Sequence, residues 1–343
     1  MRPLRSRSAV RREAHRAVLR AARRWCAAFA VIGALMPASV SAQGVAKEGA
    51  LFLLVPVGAR AVGQGQAVAA SRFGAEGIWW NPASLAWAKD RELTIDHSQN
   101  FVLKGDAIDL VFPAGRAGVL SASVLYFNFG DQTATDPFGT TTGTLYSNAI
   151  VVGTSYSATF GERFSAALTY KWLQQKQACG GSCPGIDTYA VSTSAFDFGV
   201  QAVRGKAGEL TLGAVLRNVG FGLQTIDSKQ TDPLPSRLHF GAEYRLDAVT
   251  RATPGAVLRL TGELVTRLSL ADPAVRGGAE LAIAEKYFVR GGVLTGSGDG
   301  ANAAVGFGIR QGTLGLEFAR TFGGLSSDAG NPPTYVSLRI AFR

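Results

Sequence analysis

The sequence predicts an all-β fold: a transmembrane antiparallel β-barrel of about fourteen strands, preceded by an N-terminal segment of different character. Three observations carry this. Apolar and polar residues alternate with period two from about residue 91 onward. Many alternating segments run to about ten residues, the length a tilted strand needs to cross a bilayer. The gaps between segments alternate between short and long, as the two ends of an outer-membrane barrel do.

The chain opens with a leader. Residues 1–42 contain nine arginines, no lysine and the single acid Glu13. A cationic stretch, Arg2 to Arg24, precedes a short apolar one, Cys26 to Met36, and Val40-Ser41-Ala42 supplies small residues. This order reads as a signal peptide cleaved after Ala42, leaving Gln43 as the mature start. Without the leader the formal charge of +10 falls to +2. The basic balance therefore belongs to the leader, and no nucleic-acid partner is expected. The sequence has no apolar run of eighteen residues, so no transmembrane helix is read.

Residues 43–90 read differently and are set apart from the barrel, 91–343. Ala50 to Val57 is an apolar run interrupted only by Pro56, followed by Gly58-Ala59-Arg60 and Gly63-Gln64-Gly65. The Gly-x-Gly is no nucleotide loop, because no strand–turn–helix unit or third glycine accompanies it. Trp79-Trp80-Asn81-Pro82-Ala83 follows, and Asn-Pro begins a turn or a helical turn over Ala83 to Ala86.

Strands are expected near 91–98, 105–113, 117–128, 146–158, 163–173, 189–203, 208–219, 236–247, 256–267, 274–284, 286–295, 301–310, 313–322 and 334–343. In the eighth, Leu238, Phe240, Ala242, Tyr244 and Leu246 share one face, and His239, Gly241, Glu243 and Arg245 the other. The next repeats this, with Leu258, Leu260, Gly262 and Leu264 against Arg259, Thr261 and Glu263. Leu314, Leu316 and Phe318 oppose Gly315 and Glu317. The polar faces carry both signs, with Glu243, Arg245, Arg259, Glu263, Arg276, Glu280 and Glu317 expected inside a solvated lumen. Soluble sandwiches also have two-faced strands, but shorter ones. Tyr126, Phe127, Tyr170, Trp172, Tyr287 and Tyr335 lie near strand ends, where interfacial girdles form.

The long gaps, 129–145, 174–188, 220–235 and 323–333, each follow an odd-numbered strand, which places both barrel ends on the periplasmic side. Ala248 to Gly255 is longer than the turn expected there. An open sheet edge in hydrocarbon costs several kcal/mol per unpaired group, so the last strand must close on the first. Leu338, Ile340 and Phe342 in that last strand are read as the assembly signal for the barrel-assembly machinery. Cys179 and Cys183, in a Gly- and Pro-rich loop, are expected to form a disulfide after export. No metal or cofactor site is read. A barrel enzyme would need a Ser–His–carboxylate set, and only His97 and His239 remain after cleavage, so no catalytic residue is assigned.

Phe52, Gly58-Ala59-Arg60, Gly63-Gln64-Gly65 and Trp80-Asn81-Pro82-Ala83-Ser84-Leu85-Ala86 resemble the N-terminal signature of the PorV/PorQ family of outer-membrane proteins. That family is similar in turn to FadL-type fatty-acid transporters. Gln64 stands where the family usually has Met. The resemblance implies a fourteen-stranded barrel whose N-terminal segment occupies the periplasmic mouth. It makes Gly58, Ala59, Arg60, Gly63, Gly65, Trp80, Asn81, Pro82 and Ala83 plug or gating residues. It also implies that Arg60 pairs with Glu243, Glu263 or Glu280, against the alternative of a solvated charge. Trp79 and Trp80 either line an apolar pocket or anchor the plug. The implied function is a non-enzymatic outer-membrane carrier handling exported cargo proteins in type IX-like secretion. The alternatives are a FadL-like uptake channel for hydrophobic molecules and a structural barrel. The expected partners are outer-membrane lipid, the assembly machinery, and secreted cargo or a hydrophobic ligand.

Overall fold

The computed structural model describes residues 48–100, 103–186, 188–224, 231–295, 301–323 and 332–342. The expected cleavage after Ala42 lies outside them. Fourteen antiparallel strands among the described residues form one closed barrel. They are β1 (Arg91–Gln99), β2 (Lys104–Pro113), β3 (Val119–Thr135), β4 (Thr141–Phe160), β5 (Phe164–Gly181), β6 (Tyr189–Arg204) and β7 (Leu210–Gly220). The second half comprises β8 (Arg237–Arg245), β9 (Ala256–Arg267), β10 (Ala274–Ile283), β11 (Tyr287–Thr295), β12 (Ala301–Gln311), β13 (Leu314–Phe322) and β14 (Thr334–Phe342). Each strand pairs with its sequence neighbours. The closing seam joins β1 to β14 in nine residue pairs, from Arg91↔Phe342 to Gln99↔Thr334. β1 starts and β14 ends at the same rim, called here the terminal end; the opposite rim is the loop end.

Alternation decides which side chains face out. Ile95, Ile108, Leu120, Val124, Phe198, Phe240, Phe307, Leu316, Phe318 and Leu338 are all exposed on the outer surface. So continuous an apolar belt is incompatible with water and suits hydrocarbon. Among the described residues no helix is long and apolar enough to cross a membrane, so the strands do the crossing.

Three expectations are corrected. The gaps 129–145 and 174–188 are largely strand: β3 reaches Thr135, β4 begins at Thr141 and β5 reaches Gly181. Their Thr- and Gln-rich sequences lack an apolar face, so alternation alone does not reveal them. The β4–β5 pairing nevertheless continues without a break from Phe160↔Phe164 to Gly143↔Gly181. Second, Phe127 and Tyr335 are buried on the inner face, whereas Tyr126, Tyr170 and Tyr287 face outward. Adjacent residues of a strand point opposite ways, so Tyr126 and Phe127 cannot both join a girdle. Third, the long connection after β8 holds a helical turn, Asp247–Ala252. Arg245 leaves the lumen to meet it, its Nε donating to Asp247 Oδ1 at 2.8 Å.

Candidate functional site

Residues 48–90 lie against the inner face of the barrel. A 3₁₀ turn, Leu51–Leu54, leads into a short helix, Ala59–Gly63; a second, Gly77–Trp80, is followed by a 3₁₀ turn, Pro82–Trp87. None could persist alone, since isolated helices this short are unstable in water. Local chemistry starts them and the wall holds them. Asn81 Oδ1 accepts from Ala83 N at 3.1 Å, and Pro82 has no N–H to lose at the first helical position. Gly58 takes φ 86°, and a side chain there would overlap the Glu76 carboxylate.

The segment is tied to the wall on every side. On the seam, Ala59 N donates to Ser337 Oγ at 2.8 Å, and Ser337 hydrogen-bonds Asp96. Trp79 Nε1 donates to Asp109 Oδ1 at 2.8 Å, and Ala75 N to Glu92 Oε1 at 2.7 Å; Glu92 also pairs with Arg339. On β9, Glu263 Oε2 accepts from both Val68 N and Ala69 N at 2.7 Å, while Oε1 lies 2.7 Å from His239 Nδ1. On β5 and β6, Asn81 Nδ2 donates to Val200 O at 3.2 Å, and Ser165 Oγ to Ala83 O at 2.9 Å. These bonds satisfy buried groups that would otherwise stand alone, at roughly 1–3 kcal/mol for each left unmade.

The charges form a chain through β9 to β13. Arg60 Nε lies 3.3 Å from Glu280 Oε2, which also accepts from Arg290 Nε at 2.8 Å. Glu280 Oε1 accepts from Arg259 Nη1 at 3.0 Å, and Arg290 pairs onward with Glu317. The Arg60 guanidinium also stacks on Phe73, 4.5 Å from its ring centre. Glu243 contributes more weakly, 3.9 Å from Arg259, and Arg276 lies 3.6 Å from Glu263. Glycines bring this network within reach. Gly65, at φ 62°, passes so close to the wall that a Cβ would stand 2.8 Å from Gly277 O and Val293 N. Gly63 meets Gly306 in the same way, a Cβ falling 2.9 Å from its Cα.

Burial pushes the Glu76 carboxyl well above the ordinary carboxylate range, and the Asp96 and Glu317 charges add to the effect. Near the loop end, Glu48 is held below the ordinary range by its hydrogen bond from Arg237, which donates twice at 2.8 Å.

Apolar packing joins the segment to β3 through β6. Phe52 packs 6.0 Å from Phe127 and 6.5 Å from Phe129, ring centre to ring centre, within a cluster including Leu125, Val151 and Leu173. Beside it lies a cavity of about 150 Å³. Leu53, Val57, Trp80, Leu125 and Val265 form its apolar wall, and Lys171, Arg217, Arg237, His239 and Arg276 its polar one. Trp80 both lines the cavity and is fixed, its Nε1 donating to Val57 O at 2.9 Å.

Leu338, Ile340 and Phe342 stand on the outward-facing phase of β14, opposite Ile95, Leu93 and Arg91 of β1. Cys179 and Cys183 are disulfide-bonded at the loop end of β5. His97 faces outward, 2.7 Å from Asp106, so the two described histidines are on opposite sides of the wall. Reading the sequence missed Asp96, Asp109, Arg290, Lys171 and Arg217. Each sits at an inward-facing position, and extending the alternation through β1, β2, β5, β7 and β11 would have found them.

A family model described as type IX secretion system protein PorV matches residues 39–259. Among solved structures, the monoaromatic hydrocarbon channel CymD has a TM-score of 0.59 at 12% identity, covering 84% of this chain and 98% of CymD. The Ralstonia pickettii toluene transporter TbuX has a TM-score of 0.52 at 12% identity, covering 83% of this chain and 98% of TbuX. A Pseudomonas aeruginosa FadL homologue has a TM-score of 0.50 at 12% identity, covering 87% and 99%. At such identity these similarities speak to the fold. A PKHD-type hydroxylase of Methylobacterium nodulans is 35% identical over 82 residues, 23% of this chain and 36% of the relative. The chain thus spans about a third of that relative's length.

Proposed function

We propose, on the premise that the chain belongs to the family of type IX secretion system protein PorV, that it is a non-enzymatic outer-membrane carrier that receives exported proteins at its loop end. The observation that carries this is the sheet raised by β3 to β6. Those strands have 17, 20, 18 and 16 residues, whereas about ten suffice to cross the membrane. The surplus stands beyond the rim. Within it β3 loses its partner on one side, because the β2 ladder ends at Lys104↔Asn128 while β3 continues to Thr135. Such an edge offers N–H and C=O groups to an incoming extended segment. The tied N-terminal segment closes the lumen, which keeps protein traffic at the rim.

The test is capture of exported proteins from outer membranes in mild detergent, read by mass spectrometry. Removing the hairpin tip, residues 131–143, should abolish capture while the barrel still inserts. Undiminished capture would sink the reading.

A second reading, uptake of hydrophobic small molecules, is favoured by the cavity beside Trp80. Flux of an apolar solute into liposomes bearing the purified chain would support it.

A further inference from the structure

We infer that the cavity beside Trp80 binds a small organic anion, a carboxylate carried on a compact apolar body. The inference concerns binding alone and depends on neither transport reading.

It begins with a charge balance. Lys171 Nζ lies 2.5 Å from Asp197 Oδ2. Arg237 donates twice to Glu48 at 2.8 Å. Arg276 has Glu263 at 3.6 Å and Gln66 O at 3.4 Å. Of the cations lining the cavity, Arg217 alone has no carboxylate within ion-pair distance among the described residues, Asp197 and Glu263 attracting it only from farther off. Its side chain is buried and its Nε has no hydrogen-bond partner. The wall acid Asp197 is already occupied by Lys171 and by Asn218 N at 2.7 Å.

Arginine cannot shed its proton, and a buried cation without a countercharge is unfavourable. What Arg217 does have is the Trp80 ring, 5.6 Å from its guanidinium carbon. A ring face stabilises the cation while leaving its edge N–H groups unengaged. Those groups form a planar fork that matches a carboxylate. The site therefore lacks one negative charge, and its geometry suits that charge being a carboxylate.

The remaining walls set the rest of the ligand. Leu53, Val57, Leu125 and Val265 require an apolar body. A volume of about 150 Å³ matches that of an apolar protein cavity that takes up benzene, enough for a single ring. Leu54 and Asp272, both partly exposed, stand where the cavity meets the loop end and leave a way in.

The test is equilibrium dialysis of labelled benzoate against the full purified chain in detergent. One saturable site is expected, with toluene competing at least tenfold more weakly and inorganic phosphate not competing. Arg217→Met should weaken benzoate binding at least tenfold. Arg217→Lys, which keeps the charge and loses the fork, should fall between. Absence of saturable benzoate binding, or unchanged binding by Arg217→Met, would overturn the proposal. Equal competition by phosphate would overturn the apolar part of it. Should Arg217→Met lose the heat-resistant migration of a folded barrel, Arg217→Lys and the wild-type competition series decide. Dialysis needs neither flux nor cargo, so its outcome is separate from that of either transport reading.

Discussion

Arg60 Nε and Glu280 Oε2, 220 residues apart in sequence, lie 3.3 Å apart inside the barrel. The contact ties the helix Ala59–Gly63 to β10, and Glu280 is held at the same time by Arg259 and Arg290. Arg60→Ala therefore removes a tie without stranding the carboxylate. The expected cost is about 1–2 kcal/mol, below the usual loss for breaking a buried pair. Planar-bilayer recordings should show more frequent opening events. A trace identical to wild type would mean that the seam and Glu263 ties suffice alone.

Gly65→Val should be more severe. It places a β-branched residue at φ 62°, with wall backbone 2.8 Å from the new Cβ. Strain and overlap together amount to roughly 2–5 kcal/mol. Limited proteolysis of the folded barrel should then release the N-terminal segment. Unchanged protection would show that the wall at Gly277 and Gly292 can retreat.

The Glu76 carboxyl gives a pH dependence with a definite sign. Its folded pKa is raised from the ordinary 4.5 by burial, with Asp96 and Glu317 adding to it and Arg60 and Arg290 opposing. Its contribution to packing is complete below that ordinary value and is lost as pH rises through the raised one. Hydrogen exchange of residues 58–80 should quicken as pH rises, beyond the intrinsic base-catalysed trend. Glu76→Gln should remove the excess. Glu48 acts in the opposite sense: its lowered pKa keeps the Arg237 latch intact until pH falls below the ordinary carboxylate range.

Reducing Cys179–Cys183 should leave the barrel folded, because the bridge closes a loop of four-residue separation beyond the membrane-crossing part of β5. Capture of exported proteins should decline if the raised sheet receives them. Equal capture by Cys179→Ser would assign the bridge to stiffness alone.

Deleting residues 336–343 removes most of the β14 ladder to β1, including Leu338 and Ile340. An open sheet edge in hydrocarbon costs several kcal/mol per unpaired group. The truncated chain should accumulate outside the membrane. Its normal insertion would refute the reading of this strand as the assembly signal.

Some of this was legible because it is local. Leu238, Phe240 and Ala242 against His239, Gly241 and Glu243 is a statement about one strand, and the pleat turns it directly into two faces. The strand number, the antiparallel order and closure on the last strand follow from fourteen such segments and from the cost of open edges. The capping geometry of Asn81-Pro82 is local in the same way.

What tertiary structure alone decided is which inward-facing groups meet across the barrel. Nothing in the spacing of Arg60 and Glu280, Ala59 and Ser337, or Trp79 and Asp109 sets their pairing. The polar continuation of β3 to β5 was hidden for a related reason. Its strands are held by the ladder of neighbours, and a ladder has no signature within one strand. Arg217 marks the limit most clearly. Its inward direction is a matter of alternation, but its missing contact countercharge emerges only once Asp197 and Glu263 have been matched to Lys171 and Arg276. Side-chain direction depends on nearest neighbours in the chain. Charge balance depends on all neighbours in space, and only the closed barrel brings those together.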